Sequence, residues 1–303
     1  MATYLVTQAT GQQAQWTIKH LLNAGAKVHA VVRDPAKIPD ILKRPGVTIF
    51  KGESVNFDEI FQAAQGCKAA YLNTFPIPGL EAQQAKTITE AAKKAGIKSV
   101  VACTTMCTGN PELWDDDVTE ECHLRDYWRS KAAVEEIVRG AGFEAWTILR
   151  PAFIHIDYMV PNYHGNFPRL ASHGELTHLF NDGFGMAQTD ANDIGTYAAA
   201  ALQDPAKFGG HAIELANEYL TIEEVRDIIV KITGREVKAR KLAPEEQPVM
   251  GQFFQKWVNF KELSSVLKAT KEAEAKFGIP MTPLEDALRR DRDGLMKTIP
   301  ASI

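Results

Sequence analysis

The sequence predicts an α/β protein in which a doubly wound parallel sheet occupies the first half and a smaller, mainly helical C-terminal lobe follows. Two observations carry that expectation. Short apolar or β-branched runs alternate with longer amphipathic stretches over the first 150 residues, the pattern of right-handed βαβ crossovers around a buried sheet. Gly25, Gly96 and Gly142 each close a helical stretch just before a strand, where a left-handed C-cap is expected.

In chain order the expected strands are TYLVT (3–7), KVHAVV (27–32), VTIFK (47–51), AAYLNT (69–74), SVVACT (99–104) and WTIL (146–149). Each is short and rich in β-branched or apolar residues, as buried strands are. The stretches between them, 13–24, 57–64, 80–95 and 126–140, carry apolar residues at helical spacing. After Pro151 the alternation fades: Pro161, Pro168 and several Gly, Asn and His residues mark a loop-rich stretch, and helices are expected at 192–202, 221–232 and 259–277. A soft boundary therefore falls near Arg150. Residues 1–150 form the sheet domain, with returning segments near 186–215, and residues 151–303 form mainly a discontinuous second lobe.

The 303 residues are 45% hydrophobic and 24% charged, which suits a globular chain and argues against disorder. The formal net charge of −4 is spread without a basic block, so no nucleic-acid or anionic-membrane partner is expected. No run is long and apolar enough for a membrane span, and MATYLVTQAT lacks a charged n-region. A cytoplasmic protein is the expectation. Cys67, Cys103, Cys107 and Cys122 form no CxxC pair, and the eight histidines show no ligand spacing, so reduced thiols and no metal are expected.

The stretch VTQATGQQAQW leads from the first strand into the first helix. In a phosphate-binding turn, small residues let the backbone approach the ligand while the helix N-terminus supplies free N–H groups and positive charge. Gly11 and Ala14 fit that need, whereas Gln8 stands where an outer glycine of a GxxGxxG pattern belongs. The second strand ends at Arg33, where a guanidinium suits a ribose 2′-phosphate; a solvated loop arginine is the competing reading. Tyr127 and Lys131 lie at i and i+4 on one helix face, an arrangement that can make a phenol a usable proton donor. Thr104 and Thr105 follow the fifth strand and could polarise a carbonyl, with strand-end hydrogen bonding as the alternative role. Thr74 and Phe75 end the fourth strand, and Pro151 and Phe153 the sixth, at the edge where open α/β sheets bind ligands. His155, Asp157 and Tyr158 fall in the loop-rich segment, and His155 and Tyr158 are the candidate substrate contacts there.

Together the lines VTQATGQQAQ, VVRDPAK, SKAAVEEIVRGAGFEAWTILRPAFI and TDANDIGTYAAAALQDPAKFGGHAIELANEYLTIEEV resemble the NmrA-like branch of the atypical short-chain dehydrogenase/reductase superfamily, from about Thr3 to about Gly234. The resemblance implies a Rossmann domain binding NADP(H) along the strand edges and a C-terminal substrate lobe. Carried across, Thr10, Gly11, Gln12 and Gln13 would meet the pyrophosphate, Arg33 the 2′-phosphate, and Thr74 and Phe75 the middle of the cofactor. Lys131 would hold the nicotinamide ribose, and Pro151 and Phe153 are further expected cofactor contacts. Tyr127 restores the tyrosine–lysine spacing of catalytic short-chain reductases.

The function implied is an NADPH-dependent reductase of a carbonyl, quinone or enone in a small, partly aromatic molecule. In it Tyr127 protonates the oxyanion, Lys131 tunes the phenol, and Thr105 or Thr104 orients the oxygen. A non-catalytic NADP(H)-sensing regulator with a protein partner, and an isomerase or dehydratase on the same fold, stay open beside it, as does a homodimer. The stretch 247–260, with Met250, Phe253, Phe254 and Trp257, is expected to pack a core, line a pocket or form an oligomer contact.

Overall fold

The computed structural model describes residues 1–301. Strands β1 (Thr3–Val6), β2 (Lys27–Val32), β3 (Val47–Lys51), β4 (Ala69–Leu72), β5 (Ser99–Cys103) and β6 (Ala145–Pro151) share one parallel sheet. Three strands of smaller sheets follow, β7 (Phe153–Ile154), β8 (Glu175–His178) and β9 (Gly185–Thr189). The chain then returns to the main sheet as β10 (His211–Leu215), which pairs parallel to β6, before β11 (Tyr219–Thr221) and β12 (Lys238–Lys241). The main sheet runs β10-β6-β5-β4-β1-β2-β3, so its winding reverses between β1 and β4. A crevice opens outside the strand ends at such a reversal.

The helices are α1 (Gln12–Asn23), α2 (Phe57–Ala64), α3 (Leu80–Lys94), the short α4 (Pro111–Trp114) and α5 (Asp117–Glu121), α6 (Arg125–Gly140), the short α7 (Leu170–His173), α8 (Ala191–Gln203), the short α9 (Pro205–Phe208), α10 (Ile222–Thr233), α11 (Met250–Val258), α12 (Ser264–Phe277), α13 (Leu284–Arg290) and α14 (Arg292–Thr298). The expected doubly wound arrangement is present. Gly25, Gly96 and Gly142 have φ of 76°, 86° and 72°. The helix expected over 259–277 starts only at Ser264, because Asn259 caps α11 and the chain turns before it can restart.

Period-two alternation divides the strand side chains between two faces. Val6, Tyr71, Val101 and Leu149 pack under α1, α8 and α12 with Ile18, Ile194, Tyr197 and Phe277. Leu5, Ala70, Val100 and Ile148 pack under α2, α3 and α6 with Ile60, Ile88 and Val134. A third cluster, centred on Trp128, Tyr158, Phe167 and Trp257, fills the lobe beyond the strand ends. Gly195 in the Asp-Ile-Gly stretch lets α8 approach α1, since a Cβ there would lie 2.6 Å from the Trp16 backbone. The four cysteines are free and buried. Among the described residues no helix is long and apolar enough to cross a membrane.

One buried ionic cluster ties these layers together. The Arg150 guanidinium on β6 donates to both oxygens of Glu135 on α6 at 2.8 and 2.7 Å, and to Glu214 on β10 at 3.1 Å. Glu135 also accepts from Thr104 Oγ1 at 2.9 Å, and Glu214 from the Cys107 N–H at 3.4 Å. Gly109 leaves room for the guanidinium, because a Cβ there would meet it at 2.3 Å. Burial pushes the Glu214 carboxyl up to about 7 against the pull of Arg150. Replacing Arg150 by Met takes from Glu214 its ion-pair partner and leaves Glu135 with Arg139 alone, at 2.8 Å; breaking a buried pair in this way costs about 3–5 kcal/mol. Thermal unfolding of Arg150→Met should show a large fall in Tm, and an unchanged Tm would refute this account.

Candidate functional site

The crevice forms where β1 and β4 part. Thr7 stitches the two strands: its Oγ1 donates to the Tyr71 carbonyl at 3.1 Å and accepts from the Asn73 N–H at 3.3 Å. The chain then turns through Gln8, whose φ of 49° lies in the left-handed region. That conformation is open to glycine and costs other residues roughly 1–2 kcal/mol, which explains why an outer glycine would stand there. The turn closes with a hydrogen bond from the Gly11 N–H to the Gln8 carbonyl at 2.9 Å. The Gln8 side-chain amide donates to Gln84 Oε1 at 3.1 Å, and the same oxygen accepts from the Phe75 N–H at 2.8 Å.

A cleft of about 570 Å³ lies beyond this turn, with Gln12, Gln13, Thr74, Thr104, Thr105, Tyr127, Lys131, Pro151 and Phe153 on its walls. The lobe covers it with Ile156, Asp157, Met186, Met250 and Phe254. The cover is closely set, since a Cβ on Gly251 of α11 would overlap Asn166. Thus 247–260 serves two of the expected roles: Met250, Phe254 and Val258 face the cleft while Trp257 is buried in the lobe core. A second cleft, of about 230 Å³, lies at the ends of β1, β2 and β3 and is bordered by Thr10, Arg33, Ser54 and Ile77. Gln8 and Phe75 border both clefts.

Between the clefts stands the N-terminus of α1. Its first turn has no acidic residue and Gly11 offers no side-chain cap, so unpaired backbone N–H groups and the positive end of the dipole face the crevice. Gln13 Oε1 is buried there without a hydrogen-bond partner. Arg33 is exposed and makes no ion pair among the described residues. A phosphorylated ligand spanning both clefts fits this donor set.

Tyr127 is half-buried, and its ring meets Phe254 edge-on at 4.9 Å and Trp128 at 5.6 Å. The Lys131 ammonium lies 5.4 Å from that ring. It is buried and paired with Glu81 of α3 at 2.5 Å. Glu81 also accepts from Thr74 Oγ1 at 2.7 Å and Ser130 Oγ at 2.8 Å. Burial works to lower the Lys131 pKa, but Tyr127 and Glu81 outweigh it and hold it above the ordinary value. Thr104 gives its hydroxyl proton to Glu135, whereas Thr105 makes no side-chain hydrogen bond among the described residues and faces the cleft.

The structure does not bring His155 and Tyr158 to the cleft. His155 is fully buried: its Nδ1 accepts from the Ala191 N–H at 3.2 Å, and Nε2 lies 2.7 Å from Asp291. It fastens α13 to the start of α8. Tyr158 is also buried, donating its hydroxyl to Gln188 at 3.3 Å and stacking on Phe167. The 3₁₀ turn carrying both residues directs them into the lobe and leaves Asp157 on the cleft wall. Sequence reasoning also missed Glu81 and Gln84. Their spacing on α3, three residues apart and ahead of an apolar face, was the available signal.

Fold and crevice together define a Rossmann-type α/β protein with a cleft at the topological switch point. The chain belongs to the NmrA-like family, which it matches over residues 2–285. It is 26% identical over 243 residues to Quinone oxidoreductase 2 of Escherichia coli (strain K12), covering 78% of this chain and 77% of that protein. The crystal structure of the NADPH complex of the Escherichia coli quinone oxidoreductase QOR2 superposes with a TM-score of 0.68 at 20% identity, covering 95% of this chain and 99% of that one. NmrA, a negative transcriptional regulator solved in complex with NADP, superposes with a TM-score of 0.72 at 21% identity, covering 97% and 96%.

Asp157 supplies a test of the cleft's polarity. Burial pushes its carboxyl up to about 7, well above the roughly 3.9 of an unfolded chain. The folded state therefore binds the proton more tightly, and its stability declines as pH rises from the unfolded to the folded pKa. Asp157→Asn, which keeps the site neutral, should raise Tm more at pH 8 than at pH 4. Equal shifts at both pH values would count against this.

Proposed function

We propose that this protein is an NADPH-dependent reductase acting on a carbonyl, quinone or enone group of a small, partly aromatic molecule. The observation that carries the reading is the meeting of Tyr127, Lys131 and Thr105 on one cleft that opens at the uncapped N-terminus of α1. The likeness to a quinone oxidoreductase over most of both chains supports a quinone among the substrates.

In this reading Gly11, Gln12 and Gln13 receive the pyrophosphate, with Thr10 beside them. Arg33 takes the 2′-phosphate in the second cleft. Thr74, Phe75, Pro151 and Phe153 border the rest of the dinucleotide. NADPH supplies the hydride when bound. The Tyr127 hydroxyl has no internal hydrogen-bond partner among the described residues, so its proton is free for a developing oxyanion on the substrate. Thr105 orients the oxygen; Thr104 is committed to Glu135 and acts by fixing the strand end. Lys131, kept charged by Glu81, stabilises the phenolate left after proton transfer.

A second reading, an NADP(H)-sensing regulator without turnover, is favoured by the same ion pair, because Glu81 already neutralises the lysine that catalysis would use. The similarity to a transcriptional regulator agrees with it. Calorimetry joined to an NADPH-oxidation assay over a quinone and carbonyl panel separates the two: binding without consumption selects the regulator.

Tyr127→Phe should lower kcat/KM by about 10²–10⁴-fold while leaving NADPH affinity intact. Full turnover by this variant would remove Tyr127 from the chemistry. Arg33→Ser should weaken NADPH by about tenfold and leave NADH unchanged. Loss of both alike, read by calorimetry, would remove the 2′-phosphate contact.

A further inference from the structure

Asp157 is the single acidic residue on the wall of the larger cleft. It sits in the 3₁₀ turn after β7, and its carboxylate makes no hydrogen bond or ion pair among the described residues. The one basic residue on the same wall, Lys131, is held 2.5 Å from Glu81. The inner cation therefore already has its anion, and Asp157 has no ion-pair partner among the described residues.

The surfaces around it explain what could supply one. Tyr127, Phe153 and Phe254 present aromatic rings to the cleft, with Trp128 buried behind them, and Met186 and Met250 add thioethers. Aromatic faces attract cations, and methionine adapts its shape to flat apolar ligands. A compact, strongly hydrated ammonium would lose its water on entering so apolar a space. A cation whose charge is spread over a planar ring system is weakly hydrated and loses little, as the guanidinium does beside the ammonium. The raised pKa of Asp157 agrees, being the mark of a carboxylate desolvated without a partner.

We propose that the substrate part of this cleft takes a planar, charge-delocalised organic cation, with Asp157 as its counter-ion. The inference deepens the reductase reading by naming the substrate's charge, and its chemistry rests on that reading. A hydride from a reduced nicotinamide dinucleotide brings two electrons to the electron-poor carbon of such a cation. One C–H bond forms there, the C–H bond on the dinucleotide breaks, the substrate becomes neutral and the dinucleotide leaves oxidised. No proton is consumed, so Tyr127 is dispensable for this class though needed for a quinone.

The test uses the full chain without dinucleotide at pH 8 and a matched pair of probes, N-methylacridinium and its neutral counterpart acridine, followed by fluorescence titration. The wild-type protein should bind the cation roughly tenfold more tightly than acridine. Asp157→Asn and Asp157→Ser should both erase that preference and leave acridine affinity unchanged. Equal affinities in the wild type, a preference that persists in both variants, or no binding of either probe at millimolar concentration would each overturn the proposal. NADPH plays no part in this comparison. Selective cation binding here, beside a negative result in the separate NADPH-oxidation assay, would thus keep the counter-ion and sink the reductase.

Discussion

A guanidinium can stay buried between a sheet and a helix only if its charge and its N–H donors are answered there, and Arg150 meets that condition through Glu135 on α6 and Glu214 on β10. The arrangement sets the register of three elements at once. Because such a buried cluster gains little net free energy over an apolar replacement, its value lies in alignment. Glu135 fixes Thr104 at the end of β5, Glu214 holds the Cys107 backbone, and Gly109 admits the guanidinium beneath the loop between them. Thr105 and the helix carrying Tyr127 are therefore located by charges that never touch the cleft.

A second ionic arrangement governs the cleft itself. Burial works against the charge on Lys131; Tyr127 and Glu81 oppose it, and Glu81 also collects Thr74 and Ser130. The chain thereby joins α3, α6 and the end of β4 around one carboxylate. The two clusters divide the work: Arg150 aligns the frame, and Glu81 aligns the wall. Asp157 belongs to neither, which is why its isolation on the cleft wall points outward to a ligand.

Much of the fold was legible because strands and helices here differ sharply in period. SVVACT and WTIL read as buried strands on sight, and the i to i+4 spacing was enough to put Tyr127 and Lys131 on one face of α6. What escaped had non-local causes. The chain's return near 186–215 was expected, but that HAIEL forms the strand β10 is decided by its pairing with β6, more than sixty residues away. The helix α11 was obscured by Pro248 and Gly251, and only the close approach to Asn166 gives that glycine a purpose. His155 in a proline-rich stretch has the same local sequence whether it faces solvent or is covered, and here Asp291 and the Ala191 N–H cover it. Conversely, TILRP and DIG, which lie in two of the lines that carry the family resemblance, prove to hold scaffold residues, Arg150 and Gly195.

Gln8 has a consequence for how the two clefts communicate. Its side chain stands at their junction and grips Gln84, which in turn grips the Phe75 backbone. A small molecule confined to either chamber can enter without disturbing that clasp, while an elongated guest must part it to lie across the threshold. The Gln8 amide thus separates short guests from long ones, and a protein with glycine at this position would have two rooms without a door.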